Sequence, residues 1–185
     1  MGADKQRMLA GEPYLAGGPD LVADRLQARR LLERLNATAA ADGAGREAVL
    51  AELLGAVGAQ TEILSPFHCD YGYRIRVGAR TFINFDAVIL DSALVTIGDD
   101  VQIGPGVRLA TPTHPLDPVQ RRTGVEWAEP ITIGDGAWLA TGVIVCPGVT
   151  IGADCVIGAG SVVTRDMPAR HLCFGNPCRP VRPID

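Results

Sequence analysis

The sequence predicts a mainly β protein, a parallel β-helix coiled into a three-sided prism, on three observations. An aliphatic residue recurs every six positions, at Val77, Ile83, Ile89 and Val95, then after a two-residue shift at Ile97, Ile103 and Leu109. The same period returns at Ile133, Leu139, Val145, Ile151, Ile157 and Val163. Second, a small or β-branched residue stands four positions after most of these, as at Ala87, Val107, Val143 and Ser161, and glycine often follows directly, as at Gly78, Gly98, Gly134 and Gly152. Third, aromatic residues make up only 5% of the chain, as expected of an aliphatic column too narrow for rings. A six-residue unit of this kind is one short strand and one turn: the aliphatic side chain points inward, the small residue packs beside it, and glycine lets the backbone bend.

Taken in order, residues 1–60 are expected to be helical. Behind Asp20 as N-cap, Leu21, Leu26, Leu31, Leu32 and Leu35 fall mostly on one face of a first helix. The small-residue linker "ATAAADGAG" separates it from a second, marked by Val49, Leu50, Leu53 and Leu54. The prism is placed at residues 61–168, with an excursion at 110–130 where the repeat lapses, and residues 169–185 form a tail.

Composition excludes several classes of function. No run approaches the roughly 18 apolar residues of a membrane span, and the start "MGADKQRMLAGEPY" lacks the layout of a secretory signal. A cytoplasmic protein away from membranes is expected. The formal charge of −4 offers no attraction to a phosphate backbone, which argues against a nucleic-acid partner. The five cysteines are odd in number and contain no CxxC pair, as expected of free thiols rather than a disulfide framework or a thiolate zinc site.

The excursion opens with "ATPTHPLDPVQ" and carries His114. Imidazole titrates near neutrality, and a side chain that leaves the repeat can reach beyond the prism wall, so His114 is the candidate general base. A carboxylate that fixes its tautomer would make it a better one. Glu126, at the far end of the same excursion, is the first candidate, with Glu129 and Asp117 as alternatives.

The hexads, the blocks "PFHCDYGYRIRVG", "FINFDAVILD", "THPLDPVQRRTGVEWAEPITIGDGAWL" and "PGVTIGADCVIGAGSVVTRDMP", the opening "KQRMLAGEPY" and the closing "GNPCRPVRP" together resemble the hexapeptide-repeat sugar O-acetyltransferases. Maltose O-acetyltransferases are nearest in look, with galactoside and nodulation-factor acetyltransferases as relatives. The resemblance implies a left-handed coil, a homotrimer with sites in clefts between subunits, acetyl-CoA as co-substrate without a metal, and direct transfer to a hydroxyl of a sugar such as maltose or glucose. His114 matches the family's "THP" histidine. The acceptor is implied near Asp70, Asn84, Asp91 and Arg25. Thr141 is implied beside the thioester and pantetheine arm, with Ala159 and Gly160 along the arm and Thr164, Arg165, Arg179 and Arg182 towards the nucleotide.

Plainer explanations compete for several of these residues. Asn84 and Asp91 also suit turns at prism corners, Ala159 and Gly160 suit repeat packing, and the tail arginines suit solvated charge. Ala16 stands where galactoside acetyltransferases carry an aspartate, which leaves the acceptor open, so an antibiotic or amino acid hydroxyl or amine is the alternative. A zinc lyase prism needs three histidines; this chain's other two, His68 and His171, flank the repeats rather than lie within them. A scaffold without catalysis would have no use for His114. Trp127 and Trp138 are read equally as site cover or packing.

Overall fold

The computed structural model describes residues 1–185. Three parallel sheets form the sides of a prism. Along the chain each coil visits a first side (Ile75–Val77, Val95–Ile97, Ile131–Ile133), a second (Phe82–Ile83, Gln102–Ile103, Trp138–Leu139) and a third (Ala87–Leu90, Arg108–Ala110, Ile144–Val145). The hexad positions stack in register. On the second side Ile63, Ile83, Ile103, Leu139, Ile157 and Cys173 form one column, none more than 2% exposed. Each such side chain contributes about 1.5–3 kcal/mol by leaving water.

The two-residue shift in the period has a simple cause. On the first side the strands Ile75–Val77, Val95–Ile97 and Ile131–Ile133 each bury both end residues, so this side is wider by one inward position. After Ile133 the equivalent strand shortens to Thr150–Ile151, and the period becomes strictly six.

The prism begins earlier than the repeat suggested. Ala56–Val57 pairs with Arg76–Val77, and Glu62–Ile63 with Phe82–Ile83, so the first coil starts inside the segment expected to be helical. Val57, Ile63 and Cys69 keep the six-residue spacing, but a cysteine closes the set. Residues 171–183 are likewise no loose tail: His171–Gly175 extends the second side in parallel, and Cys178–Pro183 folds back on it antiparallel.

Three helices, rather than two, precede the prism: α1 (Ala3–Ala10), α2 (Pro19–Ala37) and α3 (Gly43–Leu53). Gly18 caps α2 and Pro19 opens it, which moves Asp20 from the cap into the first turn, where its charge suits the helix dipole. Leu21, Ala28, Leu31, Leu32 and Leu35 are buried, whereas Leu26 is exposed. The helices close the open end of the prism. The Asn36 amide donates to the Phe67 carbonyl and accepts from the Phe67 N–H, both at 3.0 Å. Arg46 donates to the Ile63 carbonyl at 2.7 Å and the Ser65 hydroxyl at 2.6 Å. No helix is long and apolar enough to cross a membrane.

The excursion is ordered. It consists of a strand Pro112–Thr113, a helix α4 (Pro118–Arg122) and a strand Val125–Ala128. The two strands pair antiparallel, and the N-terminal strand Tyr14–Leu15 adds a third.

Candidate active site

The excursion leaves the prism at a fixed point. Thr111 is fully buried; its hydroxyl donates to the Leu90 carbonyl at 2.7 Å and accepts from the Ala93 N–H at 2.9 Å. Pro115 is buried and Arg121 braces the Pro115 and Leu116 carbonyls at 3.0 Å, so the backbone around His114 is anchored while its ring is 51% exposed. Its Nε2 lies 3.7 Å from Glu126 Oε2, and the Glu126 side chain is only 13% exposed. Among the three carboxylates expected as partners, Glu126 alone is at this distance. Asp117 caps α4, accepting from the Val119 and Gln120 N–H groups, and Glu129 makes no contact with the ring.

Asp70 and Tyr71 sit on the turn after the strand Phe67–Cys69, on the same edge of the prism from which the excursion springs. Burial pushes the Asp70 carboxyl up, Arg25 pulls it down and Glu126 adds to the rise, so these charges share one environment. Arg25 donates to the Tyr71 hydroxyl and to the Ala16 carbonyl, both at 2.7 Å, with its guanidinium 5.6 Å from the Tyr71 ring centre. Burial raises Tyr71 to about 12.

Asp91 corrects the expectation placed on it. It is fully buried, and its carboxylate accepts from the backbone N–H groups of Asp70, Tyr71 and Arg74. Burial lifts it to about 6 against those hydrogen bonds. Its side chain has no surface left for an acceptor; it shapes the turn that presents Asp70.

Asn84 belongs to a different edge, between the second and third sides. Together with Gln102, Gly104, Trp138 and Thr141 it lines a cavity of about 230 Å³. Successive rungs of this edge are tied by backbone hydrogen bonds, Gly142 N–H to the Pro105 carbonyl and Gly160 N–H to that of Thr141. Gly142 and Gly160 have φ of 70° and 68°, and a Cβ on either would meet nothing within 4 Å. The edge is thus a bare track along which Thr141, Ala159 and Gly160 follow one another. Thr164 and Arg165 lie at the next corner, after Val162–Val163, on the edge that carries His114. Arg179 and Arg182 are exposed on the last strand.

One chain therefore gathers the expected residues into two sets: His114, Glu126, Asp70, Arg25, Thr164 and Arg165 along one edge, and Asn84, Thr141, Ala159 and Gly160 along another. His68 lies on the first coil and His171 on the last, where its Nδ1 is 2.8 Å from the Ala169 carbonyl. No group of three or more His, Cys, Asp or Glu side chains has metal-binding geometry. Sequence reasoning missed Tyr14, whose hydroxyl donates to Glu126 Oε1 at 2.6 Å. Its contact spans the whole N-terminal half of the chain, and the only local signal was an aromatic residue in a chain with few.

Comparison with known proteins decides the family. The maltose acetyltransferase hexapeptide capping motif matches residues 7–58, and the bacterial transferase hexapeptide (six repeats) matches residues 130–165. Nodulation protein L of Rhizobium meliloti is 48% identical over 175 residues, covering 95% of this chain and 96% of that protein. The chain belongs to the hexapeptide-repeat acetyltransferase family. Among solved members of the family, a maltose O-acetyltransferase from Clostridium difficile superposes with a TM-score of 0.97 at 41% identity, covering 100% of this chain and 98% of that one. A hexapeptide-repeat acetyltransferase from Vibrio cholerae, solved in complex with acetyl coenzyme A, has a TM-score of 0.92 at 39% identity, with both chains fully covered.

Proposed function

We propose that this acetyltransferase moves an acetyl group from acetyl-CoA directly to a hydroxyl of a sugar such as maltose or glucose, with His114 as general base. The observation that carries the reading is the Glu126 carboxylate, mostly buried, 3.7 Å from the half-exposed ring of His114. The His114 ring takes the hydroxyl proton while the oxygen attacks the thioester carbonyl, and the Glu126 carboxylate 3.7 Å from Nε2 stabilises the imidazolium that forms. The tetrahedral intermediate collapses by breaking the C–S bond, and the imidazolium returns its proton to the departing thiolate. Such assistance is worth about a hundred- to ten-thousandfold in rate. Asp70 suits adjacent sugar hydroxyls because a short carboxylate accepts from more than one of them. The five cysteines are free, and none is paired with a base, which supports direct transfer without an acyl-enzyme. Free thiols also suit the cytoplasm.

The two edges support a homotrimer as the working unit. If each prism sets its His114 edge against the bare Thr141 edge of its neighbour, acceptor and donor residues meet in one cleft, and a closed ring satisfies every such contact. Phe85 and Trp138, beside that bare edge, are 49% and 51% exposed in the single chain and fit a covered position. The pantetheine arm would run along Ala159 and Gly160, with Thr164 and the guanidinium groups of Arg165, Arg179 and Arg182 at the phosphates.

The test is a screen of maltose, glucose, galactosides, aminoglycosides and chloramphenicol with acetyl-CoA, following thiol release. Sugars should be acetylated fastest and His114→Ala should lose at least a hundredfold. An amine-bearing acceptor outrunning every sugar would overturn the sugar assignment, and a His114→Ala protein of near-normal rate would overturn the base.

A further inference from the structure

We propose that Tyr14 is a positioning residue for the transfer: its hydroxyl pins one oxygen of Glu126 so that the other stays aimed at His114. The inference rests on the general-base reading above. Tyr14 and Glu126 are directly opposite partners in the antiparallel pairing of Tyr14–Leu15 with the excursion, which puts both side chains on one face of that small sheet. The Tyr14 ring is 1% exposed and packs with Met8, Leu21 and Tyr71, so it has no freedom to turn away. Its hydrogen bond to Oε1, at 2.6 Å, is of the short kind made to ionised acceptors. The remaining oxygen, Oε2, is the one that faces His114.

The charges around Glu126 show why a clamp is needed. Asp70, on the turn after Phe67–Cys69, and Glu126 repel each other, while Arg25 of α2 is already committed to Tyr71 and Ala16. None of these groups holds the Glu126 carboxylate towards His114. A neutral donor fixed in an apolar cluster holds it without adding a charge that would compete with the imidazolium. Burial, aided by the Glu126 hydrogen bond, pushes the Tyr14 phenol far above its ordinary range, so it stays a donor at every working pH. Residues distant in sequence are thereby joined into one relay, Tyr14 to Glu126 to His114.

The test uses the full chain and thiol release from acetyl-CoA, with maltose or glucose as acceptor and with water when neither is added. Tyr14→Phe keeps the ring and removes the donor; kcat should fall about tenfold while the KM for acetyl-CoA stays within about twofold. In a Glu126→Ala background the same substitution should change kcat less than about twofold, because the hydroxyl acts only through that carboxylate. Leu15→Ala, on the exposed side of the same strand, should keep the wild-type kcat. A Tyr14→Phe protein as fast as wild type, an equal loss in the Glu126→Ala background, or a loss confined to KM would each overturn the proposal. His114→Ala measured alongside separates the two claims. Activity retained there overturns the general base, whereas activity lost there together with an unaffected Tyr14→Phe protein overturns only the positioning role.

Discussion

The prism and the excursion that leaves it are held in opposite ways. In the prism every rung repeats the contacts of the rung below, so the Ile63-to-Cys173 column is continuous and no single contact is unique. In residues 112–128 no contact repeats. The excursion stands on pairing with Tyr14–Leu15, on Asp117 capping α4 and on the Tyr14–Glu126 hydrogen bond, and its tip leaves Leu116 94% exposed. Repetition supplies a rigid frame but places the same kinds of side chain everywhere. One-off contacts are what bring a histidine, a glutamate and a tyrosine together.

Substitutions can push this contrast apart. The largest effect is expected from His114→Ala, with a loss of about a hundred- to ten-thousandfold in kcat and an unchanged melting temperature, since the ring is half exposed. Ile97→Ala should do the reverse, costing about 2–5 kcal/mol of stability through the cavity it leaves, while kcat per folded molecule holds; chemical denaturation with parallel kinetics reads both. Asp91, on the border of the two regions, should add a pH dependence. Its folded value, raised to about 6, lies above the unfolded one, so its contribution is fully present at low pH and is lost as pH rises. The stability of wild type relative to Asp91→Asn should therefore fall by a few kcal/mol between about pH 4 and 6, at about 1.4 kcal/mol per unit, and a flat difference would show that the burial is not felt. Arg179→Ala should raise the KM for acetyl-CoA about three- to tenfold with little change in kcat, seen in initial-rate kinetics. Smallest of all, Leu26→Ala on the exposed face of α2 should move stability by less than about 0.5 kcal/mol.

The same contrast explains what could be read from the sequence. A contact made many times writes itself into the chain as a period, so the inward positions from Val77 to Val163 were legible, save the extra one that Ile131 fills on the wider first side. The first coil was not, because Cys69 broke the aliphatic set and α3 ran almost into Val57. His114 was visible as a histidine where the repeat stops, and Glu126 as a carboxylate at the other end of the same gap. Asp91 was misread because an aspartate at a corner looks the same whether it faces outward or, as here, gathers three backbone N–H groups beneath a turn. Tyr14 lay beyond reach because a single contact between distant segments leaves no pattern in either.

The Asn36 amide, noted above as an anchor for α2, has a second effect. A coil of parallel strands that ended in open air would present the Phe67 N–H and carbonyl to any other strand edge, and molecules could add end to end. Asn36 occupies both groups with a side chain that cannot be extended further. It therefore blocks the edge of one of the three strands at that end, and Asn36→Ala is expected to raise the share of sedimenting material before it slows the chemistry.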